Sequence, residues 1–387
     1  MKKFLGLLLA GAMLASSFTG CSGKTSSSDE KTLLIGGTGP LTGDYATYGI
    51  SVQQGAQIAV DEINEKGGVN GYTVKLEVED DQADPQQAVQ AYAKLMDNGM
   101  NLSLGSTTSG ACVALVKEAK EDGIVTMTPS ASQKEATAFD NNFRVCFLDP
   151  DQGTYSADFI KENNLATKVA VLYDKSNTYS VGVYEAFAKE AEKLGLSIVT
   201  TQAFTDSSNT DFSSQIQAVK NSGAELLFMP FYQQEAAAVL MQAQGVLENV
   251  TYFGVDGMDG VLEKLGTENQ AIANGVMLLT PFSASSSDPT VANFVAKYKE
   301  KYNATPDQFA ADAYDAVYAL CTAFEKAGLE TDDPEFNRAV AKAMTEIEVT
   351  GATGIMTWSA DGECKKQAKA VVISDGAYVD YADYKAQ

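Results

Sequence analysis

The 387-residue chain contains no histidine. That excludes Ser-His-Asp and Cys-His nucleophile pairs and any imidazole-ligated metal centre. Cysteine is scarce: Cys21, Cys112, Cys146, Cys321 and Cys364 lie far apart without C-x-x-C spacing, so no zinc site is expected. Cations are few as well, 28 Lys and Arg against 51 Asp and Glu, for a net charge of −23. Neutralising nucleic-acid phosphates takes a basic surface, so nucleic acid is excluded as a partner, and an anionic membrane surface repels the chain. Complete phosphate-binding fingerprints are missing. Gly37-Thr38-Gly39 starts a dinucleotide pattern, but Thr42 stands where the third glycine belongs and no ribose-binding acid follows at a strand end. Gly23-Lys24-Thr25 is only the tail of a P-loop, with Phe18 at the first glycine position and no strand before it. No G-x-S-x-G nucleophile turn occurs. The apolar run Phe4 to Ala15 falls short of the ~20 residues that span a bilayer.

What is present begins with that run. Lys2 and Lys3 precede it, and Phe18-Thr19-Gly20-Cys21 follows, so the first 20 residues read as a signal peptide. Small residues before a cysteine resemble a bacterial lipobox, although Phe18 replaces the usual leucine. The expectation is cleavage before Cys21, lipidation of Cys21 and an extracytoplasmic, membrane-anchored chain; the plainer alternative is ordinary cleavage beside an incidental cysteine. Residues 21–30 form a Ser-rich polar tether. The rest is ordinary globular material, 45% hydrophobic and 20% charged. Cys112, Cys146 and Cys321 sit in apolar runs, and all four of its cysteines read as buried free thiols, with a disulfide as the alternative in an exported chain.

The pattern from Lys31 onward alternates strands and helices. Leu33–Gly36 reads as a strand before a Gly-rich turn, and Gly49–Lys66 as a helix with Val52, Ala56, Ala59, Val60 and Ile63 on one face. Tyr72–Glu79 alternates as a strand; Asp84-Pro85 caps a helix running to Asp97. After strands at 124–128 and 143–147, the same grammar restarts at Lys168: strands at 169–173, 196–200, 224–229, 250–254 and 276–280 alternate with helices. Helices at 290–302, 307–327 and 335–345 precede terminal strands at 354–358 and 370–374. Such βαβ repeats imply α/β architecture with parallel-sheet cores, and two blocks imply two lobes. Ligands of such sheets bind beyond the carboxyl ends of the strands.

One of those ends is Leu104-Gly105-Ser106-Thr107-Thr108-Ser109-Gly110, a strand-to-helix turn dense in hydroxyls. Unpaired N–H groups at a helix start attract an anion; alternatively Thr108 or Ser109 simply caps the helix. Asp80-Asp81 reads first as a solvated turn, and Asp256 and Asp259 as loop acids. Collectively, a hydroxyl-rich helix start, strand-end acids and turn tyrosines fit a zwitterion with an apolar side chain, bound without reaction.

At this point the residues resemble a known family, the leucine/isoleucine/valine-binding proteins, type I periplasmic solute-binding proteins of amino-acid ABC importers. The resemblance rests on Gly39-Pro40-Leu41-Thr42-Gly43-Asp44-Tyr45-Ala46-Thr47-Tyr48-Gly49, Gly55-Ala56, Asp61-Glu62-Ile63-Asn64 with Gly67-Gly68, Asp80-Asp81, Asp84-Pro85 with Ala88, Pro129-Ser130-Ala131-Ser132, Asp151-Gln152-Gly153 and the Tyr179 turn. It implies two Rossmann-like lobes joined by three hinge crossings: residues 31–149 plus 281–353 in one, 150–280 plus 354–387 in the other. It implies that Thr108 and Ser109 bind a ligand carboxylate, that Ser130, Ala131 and Ser132 contact carboxylate and ammonium, and that Tyr48, Tyr179 and Tyr232 wall the side chain. Asp256 is implied as the ammonium partner, where the best-known members carry Glu. The family disulfide has no counterpart here.

The expectation is a monomeric, cofactor-free receptor that captures an amino acid, foremost Leu, Ile or Val, and hands it to a permease and ATPase. Another amino acid, an aromatic or amide ligand, a sensory receptor and, more distantly, a Rossmann-type enzyme are the alternatives.

Overall fold

The computed structural model describes residues 31–366 and 368–385. Cys21, the signal peptide and the tether lie outside the described residues. The chain opens with β1 (Thr32–Gly39), α1 (Ala46–Glu65), β2 (Thr73–Asp80), α2 (Pro85–Asp97), β3 (Leu102–Ser106), α3 (Ser109–Asp122), β4 (Thr126–Thr128) and β5 (Asn142–Arg144). These five strands form one parallel sheet in the order β2-β1-β3-β4-β5. Side chains alternate across it. Leu33, Ile35, Leu102 and Leu104 point into the larger core, while Leu34 faces Tyr92, Leu95 and Leu115 of α2 and α3.

A second block follows: α4 (Asp149–Glu162), β6 (Lys168–Asp174), α5 (Thr178–Leu194), β7 (Ser197–Phe204), α6 (Ser213–Ser222), β8 (Leu226–Met229), α7 (Gln233–Ala243), β9 (Thr251–Gly254), α8 (Val261–Leu265) and β10 (Met277–Thr280). Ala170, Leu172, Leu227 and Met229 face one core; Val169, Val171, Leu226 and Phe228 face the other. The chain then returns through α9 (Pro289–Tyr302), α10 (Gln308–Ala327) and α11 (Phe336–Met344), which cover the first sheet. The hairpin β11 (Glu348–Gly351) and β12 (Gly354–Thr357) stands apart from both sheets, before β13 (Lys369–Ser374), β14 (Ala377–Asp380) and α12 (Tyr381–Lys385). The second sheet runs β14-β13-β10-β9-β8-β6-β7. It is parallel from β7 to β10, with β13 antiparallel to β10 and β14 antiparallel to β13.

Several local readings hold for the reasons given. Asp84 Oδ1 accepts from Gln86 N and Gln87 N ahead of Pro85, capping α2. Cys112, Cys146, Cys321 and Cys364 are buried free thiols. Burial pushes Cys112 and Cys364 up to about 11 and Cys321 to about 12, so they are unreactive.

Other readings change. Gly37 and Gly39 are strand residues of β1, not a turn, because neighbours fill the space of their missing side chains: a Cβ on Gly39 would stand 2.5 Å from Thr107 Oγ1. α4 has no sequence counterpart in the pattern above. Its Gly153 breaks the apolar period, yet lets α5 approach until a Cβ would lie 2.4 Å from Val183 O. Asp81 is not solvated but fully buried, accepting from Ala83 N through Oδ1. Neither hydroxyl caps α3: Thr108 holds the N-cap position without a side-chain bond, and Ser109 is the first helical residue. Finally, Met356, Trp358 and Cys364 pack in the first core, so the chain stays with the first sheet beyond Thr353.

Candidate functional site

The carboxyl ends of both sheets meet at a small cavity, with about 20 Å³ of room for the centre of a water molecule. Tyr48, Thr107, Thr108, Ser109, Ser130, Ser132, Tyr179, Tyr232, Asp256, Gly257 and Phe309 line it. Eight of the nine residues singled out from the sequence therefore converge. Ala131 does not line the cavity. Its N–H donates to Thr128 Oγ1 and its carbonyl accepts from Arg144 Nη1, so both of its backbone groups already have partners within the chain. Thr107, Gly257 and Phe309 were not singled out. Thr107 and Gly257 each adjoin a residue that was; Phe309 lies in the first turn of α10 and gives no sequence signal beyond its aromatic ring.

One end of the cavity is donor-rich. Ser109 Oγ accepts from Ser132 N at 3.1 Å and Gln133 N at 3.2 Å, so its own proton is left to donate. Thr108 Oγ1 is buried and has no partner among the described residues. These hydroxyls sit at the start of α3, where the helix dipole favours negative charge. Ser130 is used differently: its hydroxyl donates to Thr107 O at 2.6 Å, leaving its lone pairs to accept.

Asp256, just after β9, has Oδ1 accepting from the Tyr179 hydroxyl at 2.6 Å. That hydroxyl also accepts from Gly257 N at 3.0 Å. The backbone of Asp256 is fixed on both sides: its N–H donates to Gln152 Oε1 at 3.2 Å, and its carbonyl accepts from Gln308 Nε2 at 2.7 Å. No lysine or arginine among the described residues makes an ion pair with it. Burial pushes its carboxyl up to about 6, against the pull of Tyr179, Gly257 and Gln152.

The remaining wall is aromatic. Tyr179 and Tyr232 stack with centroids 5.1 Å apart, and Tyr48 meets Tyr232 and Phe309 edge-on at 5.5 and 4.7 Å. Tyr48 ties the two blocks together. Its hydroxyl donates to Gly257 O at 2.5 Å and accepts from Gln233 N at 2.9 Å. Lys264 Nζ donates to Asp44 O at 2.6 Å, and Thr178 Oγ1 to Gln133 Oε1 at 2.8 Å. Chemically, the site offers donor hydroxyls, an uncompensated carboxylate and aromatic walls. It contains neither a nucleophile–base pair nor, among the described residues, a cluster able to hold a metal.

Comparison with known proteins agrees with that chemistry. Residues 32–377 match the family model described as periplasmic binding protein. The Leu/Ile/Val-binding protein BraC3 of Rhizobium johnstonii is 31% identical over 87% of this chain and 90% of its own. A leucine-, isoleucine-, valine-, threonine- and alanine-binding protein of Pseudomonas aeruginosa is 29% identical over 86% of this chain and 87% of its own. Among solved structures, the branched-chain amino acid substrate-binding protein LivJ of Streptococcus pneumoniae, in complex with isoleucine, superposes with a TM-score of 0.82 at 27% identity, covering 90% of this chain and all of that one. The leucine-binding protein LivK of Thermotoga maritima gives 0.80 at 27% identity, over 90% of this chain and 97% of that one.

Proposed function

Since the chain belongs to the periplasmic binding protein family, we propose that it is the substrate-binding receptor of an ABC importer and captures a branched-chain amino acid between its two sheet-centred halves. The observation that carries this is Asp256. A buried carboxylate without a counter-ion costs several kcal/mol, and the ammonium of an α-amino acid relieves that cost. Ser109 and Thr108 receive the ligand carboxylate; Ser130 and Ser132 serve the zwitterion beside them. Tyr48, Tyr179, Tyr232 and Phe309 enclose an uncharged side chain. One solved structure in complex with benzoate shares the fold at 20% identity, but benzoate has no ammonium to meet Asp256.

The lobes take residues 31–149 with 281 to about 364, and 150–280 with about 369 to the end. The third crossing falls after Cys364 because Met356, Trp358 and Cys364 pack in the first core. Closure of the lobes completes the site, and water leaving it strengthens each charge contact. The protein performs no reaction; ATP hydrolysis belongs to a separate subunit. Cleavage after Gly20 removes the signal peptide, and a lipid on Cys21 tethers the monomer to the outside of the cell membrane.

A thermal-shift panel of the common amino acids tests this. Ligand at about 100 times its Kd adds roughly 2.7 kcal/mol of stability. Leucine, isoleucine or valine should raise Tm most; a panel in which none does would sink the branched-chain assignment.

A further inference from the structure

Arg144 is the last residue of β5 and is wholly buried. None of its hydrogen-bond or ion-pair partners among the described residues lines the cavity. It grips instead the segment behind Ser130 and Ser132. Nη1 donates to Ala131 O at 2.8 Å; Nη2 donates to Gln133 O at 2.9 Å, Thr137 Oγ1 at 3.2 Å and Lys134 O at 3.3 Å. Nε lies 2.8 Å from Glu363 Oε2, an ion pair whose N–H points off the line of contact. The backbone is fixed too: Arg144 N donates to Gly362 O at 3.0 Å, and Trp358 Nε1 donates to Arg144 O at 2.7 Å.

The same short segment is held from its other side by Ser109 Oγ, through the amides of Ser132 and Gln133. Residues 131–134 are thus clamped, with carbonyls on the guanidinium and amides on the serine oxygen. The clamp decides the polarity of Ser109. With both lone pairs taken by N–H groups, its hydroxyl can only donate, and a donor at the start of α3 selects an anion. Only a planar guanidinium offers donors fanned widely enough to reach three carbonyls and a hydroxyl; a lysine ammonium presents a single point.

We infer that Arg144 is a positioning residue for the ligand carboxylate, acting through the 131–134 segment on Ser109. The inference rests on the amino-acid assignment of the cavity. It differs from a general stabilising role in one respect: its effect on binding requires Ser109.

The test is a double-mutant cycle read by calorimetric titration with leucine, beside the Tm of each variant. Arg144→Lys and Ser109→Ala should each weaken leucine about tenfold, and the double variant should be no weaker than about tenfold to twentyfold. Loss of about a hundredfold in the double variant, or unchanged affinity in Arg144→Lys, overturns the inference. If Arg144→Lys does not fold, Glu363→Gln replaces it, since that side chain is partly exposed and its loss leaves the carbonyl contacts in place. It should cost about threefold in wild type and nothing in the Ser109→Ala background; equal losses in both, or none in either, overturn the inference. Wild-type protein that ignores every amino acid overturns the ligand assignment itself, which separates the two failures.

Discussion

The Tyr179 hydroxyl is shared between the Asp256 carboxylate, to which it donates at 2.6 Å, and the Gly257 amide, from which it accepts at 3.0 Å. One phenol thereby orients the acid and closes the turn that carries it. A hydrogen bond to a charged group is worth about 1.5–3 kcal/mol. Tyr179→Phe should weaken leucine binding by about tenfold or more while keeping the stacked ring against Tyr232. Titration calorimetry checks this; an unchanged Kd would mean that Asp256 is held by other contacts.

Asp256→Asn keeps shape and removes charge. Truncating one member of a buried charge pair costs about 2–5 kcal/mol. Leucine affinity should therefore fall at least about 30-fold, whereas 4-methylpentanoate, the same skeleton without the ammonium, should bind both proteins alike. A parallel loss for both ligands would remove Asp256 from the ammonium subsite.

Burial sets the Asp256 carboxyl near 6 in the ligand-free site. An ammonium ligand needs the ionised form. Apparent affinity should be flat above about pH 7 and should fall roughly tenfold for each pH unit below 6, with a proton released on binding there. Titrations at pH 5, 6, 7 and 8 in buffers of different ionisation enthalpy measure both quantities.

Stability should move the opposite way with pH. Burial raises Asp81 and Asp256 to about 6, and burial followed by the neighbouring Asp307 charge raises Asp259. Unfolded aspartate titrates near 3.9. As pH falls from 8 towards about 5, the folded chain binds protons that the unfolded chain does not, so ligand-free stability rises. Below that range the balance reverses. Burial alone would raise Glu62, but Tyr318, Lys297 and Tyr314 hold it low, and Thr42 and Leu41 do the same for Asp80. Their contributions disappear once they protonate. Urea unfolding at intervals from pH 8 to 4 should show a maximum near pH 5; a steady decline from pH 8 would contradict these assignments.

The crossing of α1 and α10 gives a prediction that joins fold to site. A Cβ on Gly55 would stand 1.9 Å from Ala310 O, next to Phe309. Gly55→Ala should force the helices apart, cost more than about 3 kcal/mol, and separate Tyr48 from Phe309. Lower Tm together with weaker leucine binding is the expected outcome.

Much of this was legible because period and turn chemistry agree. The βαβ grammar exposed both sheets, and hydroxyls, tyrosines and an acid at strand ends marked Ser109, Tyr179, Tyr232 and Asp256. What stayed hidden depends on three-dimensional packing. Phe309 looks like any helix-face aromatic until Asp259 Oδ2, accepting from Gln308 N, fixes the start of α10. Asp81 looks like a turn acid until Ala83, Thr38 and Ser106 surround it. The α4 helix was masked by Gly153, whose missing side chain is a requirement of α5, not of α4. Ala131 was carried over by position within its motif, and only the contacts of Arg144 and Thr128 show that its backbone is already spoken for.

The bonds from Tyr48 to Gly257 and from Gln233 to Tyr48 join the two halves through protein atoms alone. Protein atoms thus share with a ligand the work of holding the two halves together, and whatever weakens them shifts the open–shut balance that binding draws on. Those cross-cleft hydroxyls and amides therefore tune affinity by their own strength, apart from any contact the ligand makes.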